Sequence, residues 1–266
     1  MKIHVVGFIF FAGILFLIMG CGDSPPLTNL NPGLGGDLAG YAYFIGTNGL
    51  ESANDSGITV SVEGDSQATV TQSTGLWFIS GLSNGYYNLD FSKPGYGLIK
   101  ILGQKFVSGS LGYTVASVTL YPIPTFSVAR LSDSISLDSA TGQGSVDFYG
   151  TFSRGLPNIS NNGLAYIFFD TSAAVSSNPK NYLAYTFATN IVNPNDTITN
   201  FYVNVDTATF QNEQFKSGQT IYAVAYGGNN SATHENGIGY VDSTTGRYVF
   251  TGLDSIPSSI DSFSLP

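Results

Sequence analysis

From residue 41 onward, apolar side chains recur at every second position in short runs separated by Gly, Asn, Ser and Asp. Tyr41-Ala42-Tyr43-Phe44-Ile45 opens the series. Ile58, Val60 and Val62 follow on alternate positions, then Trp77 with Ile79, then Tyr87, Leu89 and Phe91. Period two is the spacing of a strand with one face in a core, because successive side chains point to opposite sides of the pleat. After Tyr121-Pro122-Ile123-Pro124, whose prolines cannot donate to a ladder, the pattern resumes at 126–129, 146–152, 164–169, 182–187, 201–205, 221–226, 238–241 and 248–250. This spacing predicts an all-β chain of two tandem antiparallel β-sandwich domains, 40–123 and 124–266.

Three blocks in the first region carry a family likeness: Gly57-Ile58-Thr59-Val60-Ser61-Val62-Glu63-Gly64, then Thr74-Gly75-Leu76-Trp77-Phe78-Ile79-Ser80-Gly81-Leu82, then Gly85-Tyr86-Tyr87-Asn88-Leu89-Asp90-Phe91-Ser92-Lys93-Pro94-Gly95-Tyr96. In content and order they resemble the carboxypeptidase regulatory-like, or transthyretin-like, domain over residues 38–123. Ser83 departs from that pattern, in which a proline is common. The resemblance implies a small β-sandwich used as an accessory or spacer module, with no catalytic residues to transfer. Gly218-Gln219-Thr220-Ile221-Tyr222-Ala223-Val224-Ala225-Tyr226 resembles a late strand of fibronectin type III and related immunoglobulin-like domains, which would make Tyr222 a candidate tyrosine corner. A shorter internal echo aligns residues 74–82 with 245–253, and one turn-strand-turn solution reached twice accounts for it.

The N-terminus follows another rule. Met1-Lys2-Ile3-His4 precedes an apolar run from Val5 to Met19, shorter than the ~20 residues of a spanning helix. Leu17-Ile18-Met19-Gly20-Cys21 resembles the bacterial lipobox, which implies cleavage after residue 20 and acylation of Cys21. The chain has 1 cysteine, so an internal disulfide is excluded. Residues 1–20 are therefore expected as a lipoprotein signal peptide, and 21–39, with three prolines and four glycines, as a flexible tether. The expected location is the bacterial cell envelope, with the lipid holding the protein at a membrane. Removing residues 1–20 takes away Lys2 and no acid, leaving 8 of the 9 basic side chains against 18 acidic ones. Such a chain cannot neutralise a run of phosphates, so nucleic acid is not an expected partner.

The chemistry-bearing motifs have plainer explanations. Gly81-Leu82-Ser83-Asn84-Gly85 matches the nucleophile elbow in letters, but strands flank it on both sides where the elbow needs a following helix. Asp55-Ser56-Gly57 lacks the second carboxylate of an aspartic protease. His234 lies alone in a polar stretch, a poor transition-metal site, and the acidic turn Asn193-Pro194-Asn195-Asp196 lacks EF-hand spacing. No catalytic residue, metal site or cofactor is expected. Two functions remain: a non-catalytic binding or adhesion module for a glycan or envelope protein, and a carbohydrate-active hydrolase with paired carboxylates about 5–9.5 Å apart. A purely structural spacer fits as well. If 81–85 is a hairpin turn, Phe78 and Tyr86 lie diagonally across neighbouring strands and form a candidate binding surface.

Overall fold

The computed structural model describes residues 37–47, 49–108, 113–137, 144–153, 164–189, 200–228 and 239–266. Cys21, His234 and the 193–196 turn lie outside the described residues. The described chain is built almost wholly of strands, mostly antiparallel. The first half runs β1 (Leu38–Phe44), β2 (Thr59–Val62), β3 (Ala68–Val70), β4 (Leu76–Ile79), β5 (Gly85–Ser92), β6 (Ile99–Phe106), β7 (Tyr113–Thr114) and β8 (Val118–Leu120). One sheet has the order β4-β1-β7, with β8 also on β1; the other has the order β3-β2-β5-β6. β7 and β8 pair with β1 in parallel, because the chain leaves β6 and re-enters the opposite sheet running in the same direction as β1.

Alternation sets what the first half buries. Leu38, Ala42, Val60, Val62, Trp77, Ile79, Leu89 and Phe91 point into one core with Phe106 and Leu120. Trp77 meets Phe91 edge to face, with ring centroids 5.6 Å apart. Across the ladder from Trp77 stands Gly40, where a Cβ would come within 3.0 Å of the indole. β1 begins at Leu38, inside the stretch expected as tether, because Leu38 fills the core opposite Ile79.

The second half runs β9 (Val128–Leu137), β10 (Gly144–Phe152), β11 (Leu164–Asp170), β12 (Ala184–Thr189), β13 (Asn200–Asp206), a short helix α1 (Thr207–Asn212), β14 (Thr220–Gly228), β15 (Gly239–Val241), β16 (Tyr248–Phe250) and β17 (Asp261–Ser264). The sheet β13-β10-β9 packs on β12-β11-β14-β17 across a core rich in phenylalanine, with Phe148, Phe169, Phe201, Phe210 and Phe263 among its members. The second sheet is also covered on its far face by an aromatic layer of Tyr166, Phe168, Tyr182, Tyr226 and Phe250, the last from the β15-β16 hairpin. Two buried faces explain why Ala165 to Phe169 reads as an unbroken apolar run rather than an alternating one. The helix was not legible as a period-3.6 pattern: it is one and a half turns held by Phe210, which is buried against Phe169 and Phe263.

The two halves touch along one seam. The hydroxyl of Thr251 donates to the carbonyl of Leu98, Gly97 approaches Gly252 so closely that a Cβ there would lie 3.0 Å from it, and Lys100 Nζ sits 5.2 Å from the centre of the Tyr240 ring.

Candidate functional site

The sequence-derived surface dissolves on inspection of the pairing. β4 pairs with β1, and β5 pairs with β2 and β6. The hairpin expected at 81–85 is not formed; that segment carries the chain from one sheet to the other. Phe78 lies half-buried opposite Ala39, while Tyr86 is 72% exposed opposite Lys105 on the other sheet. The two rings therefore do not share a face. The alternation rule itself holds within each strand, since Trp77 and Ile79 are buried and Tyr86 points outward.

Other motif residues serve the fold. Asp55 accepts from the Phe44 amide through Oδ1 at 3.1 Å, and its carbonyl accepts from the Thr71 hydroxyl at 2.6 Å, which ties the loop before β2 to the end of β1. Burial raises its pKa above the ordinary carboxyl value. Ser83 lies on the link between sheets, its carbonyl accepting from the Tyr87 hydroxyl at 2.7 Å. Tyr222 packs on the aromatic layer beyond the second sheet, where the Tyr182 hydroxyl donates to the Tyr248 carbonyl at 2.5 Å and the Tyr226 hydroxyl accepts from the Ser177 amide at 3.4 Å.

One carboxyl pair is brought together. Asp133 on β9 lies beside Asp261 on β17, and burial, followed by the charge of that neighbour, pushes Asp133 up to about 6. Asp261 Oδ2 is buried without a hydrogen-bond partner.

The feature with free recognition capacity is the outer face of the β13-β10-β9 sheet. Val146, Phe148, Gly150 and Phe152 point inward, so Asp147, Tyr149 and Thr151 point out; likewise Phe201, Val203 and Val205 turn Tyr202 and Asn204 outward. Register then sets Tyr149 directly opposite Tyr202 and Asp147 opposite Asn204. The tyrosine rings lie 5.3 Å apart and are 45% and 51% exposed. Asp147 Oδ1 accepts from the Tyr202 hydroxyl at 2.7 Å and from Asn204 Nδ2 at 2.6 Å. These two bonds, the amide's first, hold Asp147 below the usual carboxylate pKa, and the same contact raises Tyr202. Ser132 and Ser134 on β9 complete the two rows. The sequence carried part of this signal: both tyrosines are out of phase with their apolar neighbours.

Two clefts are less open to a ligand's hydrogen bonds. One, of about 460 Å³, lies between β12 and the turn before β16, but its Arg247 already donates to the Pro179 carbonyl at 2.9 Å. The other, of about 600 Å³, lies along the seam, where Lys100 is neutralised by Glu63 at 2.6 Å and Asp90 at 3.2 Å.

No family model matches the chain, and no curated protein is detectably similar to it. Among solved structures, a Bacteroides uniformis protein provisionally described as carbohydrate binding is 12% identical over 88% of this chain and 100% of its own, with a TM-score of 0.30. A DUF3823 family protein from Bacteroides uniformis is 14% identical over 87% of this chain and 100% of its own, with a TM-score of 0.27. A mutant type II cohesin-X-dockerin complex from Acetivibrio cellulolyticus gives 19% identity over 33% of this chain, which spans 58% of that chain's length, with a TM-score of 0.26. At these TM-scores neither family nor function transfers, and the chain's own geometry has to carry both.

Proposed function

We propose that this chain is an exported lipoprotein, held at the bacterial cell envelope through an acylated Cys21, that binds glycan without catalysis on the outer face of the β13-β10-β9 sheet. The observation that carries the reading is the directly opposed, half-exposed pair Tyr149 and Tyr202 beside the charged Asp147. An aromatic face suits the apolar C–H side of a sugar ring, while carboxylate and amide groups at its rim accept or donate to the hydroxyls. Ladder pairing of β10 to both neighbours holds these groups on a rigid platform. The first sandwich, by its likeness to carboxypeptidase regulatory-like domains, acts as the spacer that carries this face away from the membrane.

Affinity electrophoresis in gels containing β-glucan, xylan or galactomannan tests the reading. The protein should be retarded by at least one of them, and Tyr149→Ala together with Tyr202→Ala should abolish the retardation. A cross-strand pair contributes only about 0.2–1 kcal/mol to a sheet, so the melting temperature should drop by no more than a few degrees. Retardation that survives the double substitution would overturn the assignment of this face.

A further inference from the structure

We infer that the ligand of this face is a run of at least two consecutive pyranose residues of one chain, laid across the strands along the row Tyr202, Tyr149 and Ser132; the inference rests on the glycan-binding reading above. Register sets the row: Tyr202 on β13 stands opposite Tyr149 on β10, and Ser132 on β9 stands opposite Tyr149 on its other side. Asp147 lies diagonally across from Tyr202 and accepts from its hydroxyl at 2.7 Å, so that ring leans along the sheet toward Asp147 instead of standing up from it. The Tyr149 and Tyr202 ring centroids are 5.3 Å apart, no farther than the ~4.5–5.5 Å between Cα atoms of directly opposed residues. Both rings therefore lean the same way, and the line that joins them runs across the strands. Its length is about that of one pyranose residue in an extended chain.

A chain laid the other way, along a strand, would keep a single ring. The next outward residues along β10 are Asp147 and Thr151, and along β13 they are Asn204 and Asn200, each two positions or about 7 Å from its tyrosine. Laid across, the chain stacks consecutive sugar residues on both tyrosines and meets polar side chains on both flanks. Asn204, Asp147 and Ser134 line one flank; Asn200, Thr151 and Arg130 line the other. Carboxylate and guanidinium thus stand on opposite sides of the aromatic row, an acceptor for hydroxyls on one edge of the chain and donors for those on the other. The row is one ring short on β9, because Ser132 occupies the place where a third sugar residue would rest. The face therefore holds two residues firmly and a third weakly.

Titration calorimetry on the whole protein, with β-1,4-linked glucose, xylose and mannose oligomers of one, two, three and six residues, tests the geometry. Wild type should bind the two-residue member of at least one series, its one-residue member not detectably, and its longer members little more tightly. Ser132→Tyr adds a third ring to the row, at a strand position that suits tyrosine. It should tighten the three- and six-residue ligands about two- to tenfold, the size of one aromatic contact, and leave the two-residue ligand unchanged. Thr151→Tyr, which adds the ring along the strand instead, should tighten none. Melting curves confirm that each variant is folded, and Ser132→Phe supplies the same ring should the tyrosine variant melt early. A gain with Thr151→Tyr at least equal to that with Ser132→Tyr, or no gain with either, would overturn the direction of the chain while leaving glycan binding intact. A one-residue ligand bound as tightly as the longer ones, and lost with Tyr149→Ala, would also overturn it. No binding of any ligand would remove the glycan reading itself, and this inference with it.

Discussion

Gly150 shows how a single position sets the geometry of the proposed face from below. A Cβ there would lie 2.1 Å from the Phe201 ring and 2.8 Å from the Arg130 carbonyl. Gly150→Ala should therefore cost about 1–3 kcal/mol by overpacking and shift β13 against β10, weakening glycan retention along with the melting transition. Wild-type stability with Gly150→Ala would mean the ring yields freely. Asp133 sets a pH dependence. Its folded-state pKa of about 6 lies above the ordinary 3.8, so the folded chain binds the proton more tightly than the unfolded chain. That contribution is complete below the ordinary value and is lost as pH rises through about 6. Melting temperature should fall between roughly pH 4 and 7 from this pair, and Asp133→Asn should flatten the profile over that window. A slope that is the same in the variant would exclude the pair as its source.

At the scale of elements, alternation told inward from outward residues within a strand but could not tell which strands pair. β4 and β5 are neighbours in sequence and read as a hairpin, yet each finds its partner in a different sheet. The short link at 81–85 can as well cross between layers as turn within one, and the choice rests on long-range burial of Trp77 and Phe91 against each other. Phe78→Ser and Tyr86→Ser should consequently be additive in a double-mutant cycle, within about 0.3–0.5 kcal/mol. A coupling well above that would restore the hairpin geometry. β17 and α1 escaped the periodicity because each is brief: β17 is a four-residue addition to β14, and α1 is fixed by burial of Phe210 rather than by propensity. β9 escaped in part because its apolar alternation is interrupted on both sides, by Ser132 and Ser134 on the outer face and by Asp133 opposite Phe148 on the inner one.

For the whole molecule, the buried core of the first half is drawn from residues 38 to 120 and those of the second from 126 to 265. An excised 38–123 fragment should melt cooperatively, at a lower temperature than the full chain because the Leu98, Lys100 and Gly97 contacts to the second half are lost. A fragment without a cooperative transition would show that the halves share one folding unit. Mass spectrometry of the native membrane fraction should find an acylated Cys21 at the N-terminus, and intact residues 1–20 on the bulk of the protein would refute the lipid anchor. The sequence by itself determined the all-β class and the facing of individual residues, since both follow from local rules: β-branched and aromatic composition, a two-residue period, and Gly and Asn at turns. It also carried the whole expectation of export and lipidation, which is written in a linear motif read by other proteins. Only the tertiary structure decided that Phe78 and Tyr86 part company, that Asp133 meets Asp261, and that Tyr149 faces Tyr202 beside Asp147. Each of these depends on strand partners separated by tens of residues, chosen by which apolar faces can be buried together, a property that no local window contains.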